Sequence, residues 1–406
     1  MTVPEREDKP SASQALLIFC AGVSAALHIW KLPPALPALQ EALSLTLAQA
    51  GWLISVFQVA GMLLGLVFGL FVQHIGQKRS ILCGLIVLSL SSFAGAFSLS
   101  VMALLLFRIV EGFALLMVTM AAPGLIRQLA PKDKLNFFVA LWSAYVPTAT
   151  VIALFGGASI LNVLSWPSLW VATGAISLMM AVLIWRTVAE TAPVATTLPG
   201  LDQAWQSIKE TLTVKEPWLV AVCFSMYTSQ WVAIISFLPI IYRETGISGL
   251  LMGTFTAVVA GVNIVGNLMA GRLLQRGVAP RSLLITAFSS MIVTTFVAFG
   301  LQVSSGVQFV AMALFSAVGG LAPATLFNLA VKVSTTTHAI PVTIGWLQQW
   351  ICFGQFAGPV IVAFVVDYTR GWRSVWLLTG AWGTLGIILT LLLCRALALK
   401  SAHPSV

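Results

Sequence analysis

The chain has 406 residues, of which 59% are hydrophobic and 8% charged, with a net charge of +9 and a mean hydropathy of +0.99. A soluble domain carries about 25% charged residues, so this composition excludes a soluble enzyme, a secreted disulfide scaffold and a nucleic-acid binder. At about 20 residues per crossing, the length suits an all-α integral membrane protein of up to about twelve spans, with the lipid bilayer as its first partner.

Residues 1–13 read as a polar tail carrying Glu5, Arg6, Glu7, Asp8 and Lys9. The tail lacks a signal peptide's cationic start, and the apolar run after it is too long for one, so the first span is expected to stay in the mature protein. Apolar stretches then predict spans over 14–37, 47–72, 80–99, 102–128, 136–161, 168–188, 217–241, 250–274, 282–301, 306–331, 340–366 and 373–395. Glycines inside them, such as Gly61, Gly65 and Gly69, suit close packing between membrane helices. The polar stretch 190–216 predicts a cytoplasmic linker between an N-terminal six-helix bundle over 14–189 and a C-terminal one over 217–396, and 397–406 forms a second cytoplasmic tail. Cys20, Cys83, Cys223, Cys352 and Cys394 are scattered singly through apolar stretches, without metal or disulfide spacing.

The cations set the orientation. With the N-terminus inside, the inner segments hold sixteen Lys and Arg, from Arg6 to Lys400, and the outer ones only Arg243, Arg370 and Arg373. By the positive-inside rule both termini are cytoplasmic, which predicts a multi-pass protein of the bacterial inner membrane. The remaining two, Lys31 and Arg108, lie within spans.

An internal repeat supports two halves. Gly69, Gln73, His74 and Arg79-Ser80 recur as Gly271, Gln275, Arg276 and Arg281-Ser282, and Leu36-Pro37 and Gly51 recur as Leu238-Pro239 and Gly253 at the same offset. Trp166, Ser168, Trp170 and Thr173-Gly174-Ala175 recur later as Trp372, Ser374, Trp376 and Thr379-Gly380-Ala381. A duplicated six-span unit is the construction expected of a two-bundle transporter.

The residues between spans two and three, Gly69, Gln73, His74, Gly76, Lys78 and Arg79, resemble the loop motif Gly-x-x-x-Asp-Arg-x-Gly-Arg-Arg/Lys of the major facilitator superfamily. Gln73 replaces its acid and His74 the arginine beside it. The resemblance implies two pseudo-symmetric six-helix bundles and an inner gate at this loop, copied at Gly271, Gln275 and Arg276. Arg108, Gly112 and Pro123 are similar to the family's Arg-x-x-x-Gly motif of span four. Gly354, Gly358 and Pro359 in span eleven resemble a Gly-x-x-x-Gly-Pro element that family antiporters carry in span five, where this chain offers Pro147 and Gly156-Gly157. Lys31, Leu141-Trp142-Ser143 and the Trp-rich turns are faintly similar to the branch of cyanate and nitroimidazole transporters.

Ionisable groups within spans are costly, and each is a functional candidate. Lys31 lies about 25 Å into span one at ~1.5 Å per residue, and Arg108 about 9 Å into span four from the other side, so they share a depth. Two such cations suit a small organic or inorganic anion, with Arg108 offering a bidentate fork. Alternatively Lys31 snorkels to the headgroups, and Arg108 pairs with Glu111, three residues on along one helix face. Glu111 and His28 are the candidate proton carriers. Trp30, Tyr227, Gln230, Trp231, Asn328 and Gln349 are the expected remaining solute contacts, with Asn263, Asn267 and Gln348 as further amides. Trp52, Trp166, Trp170, Trp218, Trp372 and Trp376 fit interfacial belts, and Asp367 fits an interface near Arg370 and Arg373. No catalytic or nucleotide motif is present, and no cofactor or metal is expected.

These residues predict a monomeric secondary transporter that moves a small solute, with protons or another ion as coupling partner and no nucleic acid. The expected solute is a small anion. The alternatives are an exporter of amphiphilic compounds or drugs and, in another class, a non-transporting receptor or sensor, which would be expected to carry an appended soluble domain.

Overall fold

The computed structural model describes residues 11–66, 76–142, 144–189, 201–334 and 340–402, and among these every regular element is helical. Among the described residues, eleven helices are long and apolar enough to cross a bilayer. They are span one, Ala12–Leu43; two, Leu47–Leu66; three, Gln77–Ala96; four, Val101–Leu129; six, Trp166–Thr187; seven, Lys215–Glu244; eight, Gly249–Gln275; nine, Pro280–Gly300; ten, Ser305–Val333; eleven, Val342–Thr369; and twelve, Trp372–Ala398. The predicted fifth span is built from two shorter helices, Leu135–Trp142 and Tyr145–Leu161.

Several spans are interrupted, and span one has a readable cause. Its helix divides into Ala12–Trp30 and Leu32–Leu43 at Lys31, with prolines in the first turn of the second piece. Pro33 has no N–H to give the carbonyl of Ile29, so a main-chain acceptor is left over at the break. In lipid such a group must be satisfied by a neighbouring helix. Span two tightens into a 3-10 turn at Val56–Gln58, and such a switch also spares a carbonyl.

The duplication appears as matched contacts between the halves. Gly51 of span two lies against Pro359 and Ala363 of span eleven, and its repeat counterpart Gly253 of span eight lies against Ala158 of span five. At the end remote from the basic loops one apolar core runs across both halves, from Leu36 and Leu39 to Phe237 and Leu238, and a separate cluster including Ile18, Leu85, Leu125 and Ile184 stays within the first half. Arg243 of span seven ties that remote end to span one, donating to Glu41 Oε1 (2.5 Å) and to the Pro37 carbonyl (2.9 Å).

Within the stretch expected as a linker the chain forms a helix, Leu201–Thr213, whose Leu201, Trp205, Ile208 and Leu212 recur at helical spacing. One expectation is corrected. Trp166 and Trp170 do not belong to an interfacial belt: both are buried, Trp170 to 1% exposure.

Candidate functional site

A carboxylate sits at the centre of the first half. Glu111 projects from span four among His28, Lys31 and Arg108, and all four side chains are buried to 1% exposure or less. Lys31 Nζ donates to Glu111 Oε1 (2.5 Å) and to Ser92 Oγ of span three (2.7 Å). Arg108 Nη1 donates to Glu111 Oε2 (3.0 Å), so each carboxylate oxygen meets one cation.

Arg108 spends its other donors on the carbonyls at the two helix irregularities. Nη1 also reaches the His28 carbonyl, Nε bonds the Leu53 carbonyl (3.3 Å), and Nη2 lies 3.5 Å from the Ile29 carbonyl freed by Pro33. The guanidinium carbon stands 4.4 Å from the Phe57 ring centroid, and Lys31 Nζ 4.8 Å from that of Trp170. These aromatic faces and carbonyls solvate the positive charge that one carboxylate cannot neutralise. Gly112, one turn above Arg108, faces the Phe57 carbonyl so closely that a methyl group would overlap it. That contact holds spans two and four near enough for Arg108 to reach Leu53.

His28 completes the cluster. Its Nδ1 is 3.1 Å from Glu111 Oε1 and 3.3 Å from Lys31 Nζ, and its Nε2 is 2.8 Å from Ser177 Oγ of span six. Ser177 is 3.0 Å from Ser24 Oγ, one turn back along span one. Both neutral tautomers find partners: Nδ1–H donates to Glu111 while Nε2 accepts from Ser177, or Nδ1 accepts from Lys31 while Nε2–H donates to Ser177. A proton can therefore change nitrogen without leaving a buried group unpaired.

The Trp30 indole meets Trp231 of span seven edge to face, at 5.4 Å between centroids, on the contact between the halves. Trp231 Nε1 donates to Ser316 Oγ (3.0 Å), and Tyr227 accepts from Asn263 Nδ2 (2.9 Å). Trp30 Nε1 and Gln230 Oε1 are buried without a hydrogen-bond partner among the described residues. A buried donor and acceptor left open in this way are costly unless something else satisfies them.

The sequence model of the major facilitator superfamily matches residues 15–340. The chain belongs to the major facilitator superfamily. It is a multi-pass membrane protein of this transporter superfamily. Among solved structures, this superfamily member resembles a bacterial homologue of the human lysosomal transporter Spinster in its inward-facing, occupied conformation (TM-score 0.79, 16% identity, covering 96% of this chain and 98% of that one). It also resembles a D-xylose–proton symporter (TM-score 0.71, 18% identity, covering 93% and 96%). It is 30% identical over 171 residues to a probable multidrug resistance protein, EmrY, of Escherichia coli K12, across 41% of this chain and 33% of that one. It is 27% identical over 198 residues to a methylenomycin A resistance protein of Streptomyces coelicolor, across 48% and 42%. The chain thus spans less than half the length of these curated relatives.

For this superfamily member the structure brings Lys31, Arg108, Glu111 and His28 into one cluster, and Trp30 and Trp231 into contact across the halves. Lys31 is enclosed among spans one, three, four and six and does not snorkel, and Arg108 takes the pairing with Glu111. Asn328 stands apart, lining a cavity of about 420 Å³ with Gly271, Gln275 and Lys332 at the basic end. Gln349 Nε2 reaches the Leu63 carbonyl of span two (3.4 Å), and Gln348 its own helix at Cys352. Of the gating motif, Gly69, Gln73 and His74 lie outside the described residues. Gly76 takes a φ of 90° ahead of span three, a conformation suited to glycine. Lys78 is buried, and Arg79 and Arg276 are exposed. Gly354 and Gly358 pack span eleven onto Ser225 and Ser229 of span seven. Asp367 is exposed, and no ion pair with Arg370 or Arg373 is present among the described residues.

Sequence reasoning missed Ser92, Ser177, Ser24 and the Trp170 ring, which all serve the cluster. Serines on spans three and six carry no signal in one sequence, because a membrane serine satisfies itself equally well on its own helix. The matched Trp-rich turns were visible, but their burial against Lys31 was not.

Proposed function

We propose that this protein is a proton-coupled carrier in which Glu111, clamped by Lys31, Arg108 and His28, is the proton site, and the solute lies between the halves against Trp30 and Trp231. The observation that carries this reading is the complete burial of one carboxylate between two cations and an imidazole. Protonating Glu111 removes the only negative charge among them, leaving two cations with reduced compensation, so spans one and four must rearrange. The His28–Ser177–Ser24 chain offers a route toward the basic end, taken here as cytoplasmic.

The solute class that fits is amphiphilic and without net negative charge. Both intramembrane cations already hold Glu111, and Arg108 main-chain carbonyls as well, while the contact between the halves offers indole faces and an open donor on Trp30, and span seven an open buried acceptor on Gln230. The relatives named for multidrug and methylenomycin A resistance support export of such compounds, with proton entry as counterflow. A small anion is the second reading. It is favoured by the surplus of two cations over one carboxylate, and it requires Lys31 or Arg108 to exchange its present partners for the solute.

The test uses purified protein in vesicles containing a pH-sensitive dye, challenged with amphiphilic aromatic compounds and with small carboxylates. Proton flux evoked by the amphiphiles supports the first reading, and flux evoked only by carboxylates supports the second. The charge-compensated pair Lys31→Met/Glu111→Gln should exchange labelled solute across the membrane yet move no protons. Normal proton flux in that variant would refute Glu111 as the coupling site.

A further inference from the structure

Away from the charge cluster, the basic end of the second half carries a groove of about 540 Å³ between the helix Leu201–Thr213, the start of span seven and the end of span twelve. Its walls include Trp218, Leu219, Leu389 and Leu392, and two cations, Lys215 and Arg395, stand at its margin. Both cations are exposed, and neither has an ion-pair or hydrogen-bond partner among the described residues. One lip is fixed by Trp218 Nε1, which donates to the Leu212 carbonyl (3.0 Å) and so docks the connecting helix on span seven.

The groove belongs to the outside of the bundle. Of span twelve, 28% of the most apolar stretch is buried, against 83% for span seven. The connecting helix places Trp205 at 68% exposure on its apolar face, and a helix with one apolar face and an exposed Trp suits the plane of a bilayer surface. An apolar channel facing lipid, with two uncommitted cations where it meets the headgroups, matches a molecule with an aliphatic tail and an anionic head. A soluble anion has no use for the walls, and a zwitterionic lipid has little use for the cations.

We propose that this groove holds one anionic phospholipid, an acyl chain along Trp218, Leu219, Leu389 and Leu392 and the headgroup phosphate between Lys215 and Arg395. The occupant would pin the connecting helix, and with it the joint between the halves, to the membrane surface. The reading does not depend on the solute or on the coupling ion.

Full-length protein is reconstituted in phosphatidylcholine vesicles containing a small fraction of phosphatidylglycerol or phosphatidylcholine with brominated acyl chains. Trp218 emission is taken as the difference between the wild type and Trp218→Phe. Brominated phosphatidylglycerol should quench Trp218 at far lower mole fraction than brominated phosphatidylcholine. Lys215→Ala/Arg395→Ala should weaken that preference about thirtyfold, at roughly fivefold for each cation at a bilayer surface. Both substitutions are at exposed positions, and an unchanged melting temperature checks the fold. Equal quenching by the two lipids, or an unchanged preference in the double variant, would overturn the proposal. Displacement of the brominated lipid by inorganic phosphate would also overturn it, by assigning the cations to a soluble anion.

Discussion

Glu111→Gln keeps the shape of the side chain and removes its charge, which tests whether the cluster is an electrostatic unit. Lys31 would then be buried with neutral acceptors only, the new amide oxygen and Ser92 Oγ, 2.7 Å away, and no counter-charge in contact. Arg108 would fare better, because it keeps the carbonyls of His28 and Leu53. Removing one partner of a buried ion pair costs about 3–5 kcal/mol, since the other charge is left behind. Lys31→Met alone should cost less, about 1.5–3 kcal/mol, the worth of a hydrogen bond to a charged group, because Glu111 keeps Arg108 and His28. Replacing the lysine and the carboxylate together strands no ammonium, so Lys31→Met/Glu111→Gln should recover about 2 kcal/mol relative to Glu111→Gln. Thermal unfolding in one detergent, followed by intrinsic fluorescence, reads the order: wild type most stable, Glu111→Gln least, with Lys31→Met and the double variant between them. A double variant less stable than Glu111→Gln, or a Glu111→Gln protein as stable as the wild type, would refute the stranded-charge argument.

Gly358→Ala should destabilise by about 1–3 kcal/mol, because its methyl group would overlap the Ser229 carbonyl and force spans seven and eleven apart; a melting temperature equal to the wild type's would contradict this. Arg243→Ala should change stability by less than about 1 kcal/mol, the pair with Glu41 being exposed. It should nevertheless speed maleimide labelling of a cysteine placed at the buried Ser236, and unchanged labelling would show that this pair does not hold the remote end shut. Trp30→Phe keeps a ring against Trp231 and removes a donor that has no partner among the described residues. Solute affinity should fall about fivefold, the worth of a neutral hydrogen bond near 1 kcal/mol, with little loss of stability. A large drop in melting temperature would instead assign that N–H a structural use.

The spans were legible because hydrocarbon imposes length and apolarity on each crossing. Residues 102–128 were expected for span four and Val101–Leu129 is found; 282–301 were expected for span nine and Pro280–Gly300 is found. The pairing of Arg108 with Glu111 was an open alternative, since helical spacing alone puts i and i+3 on one face. Contacts between helices were not legible. Ser92 and Ser177 reach the cluster from spans three and six, and nothing in the periodicity of either span says which face meets span one. Trp170 misled for a related reason: near a helix start, an indole at the headgroups and an indole packed over an ammonium read alike. The connecting helix was hidden by polarity, because its one apolar stripe is diluted by Asp202, Gln206, Lys209 and Glu210.

The break in span one puts the charge cluster and the contact between the halves on neighbouring residues. Trp30 is the last residue of one helical piece, and Lys31 is the joint. No relay across the bundle is needed for one event to register at the other, because a turn of this joint displaces both side chains. On the proposed assignment, solute bound at Trp30 and a proton held at Glu111 compete for, or share, one backbone geometry. Linkage then requires the effect to be mutual: by whatever factor protonation alters solute affinity, the solute alters the proton affinity of the cluster.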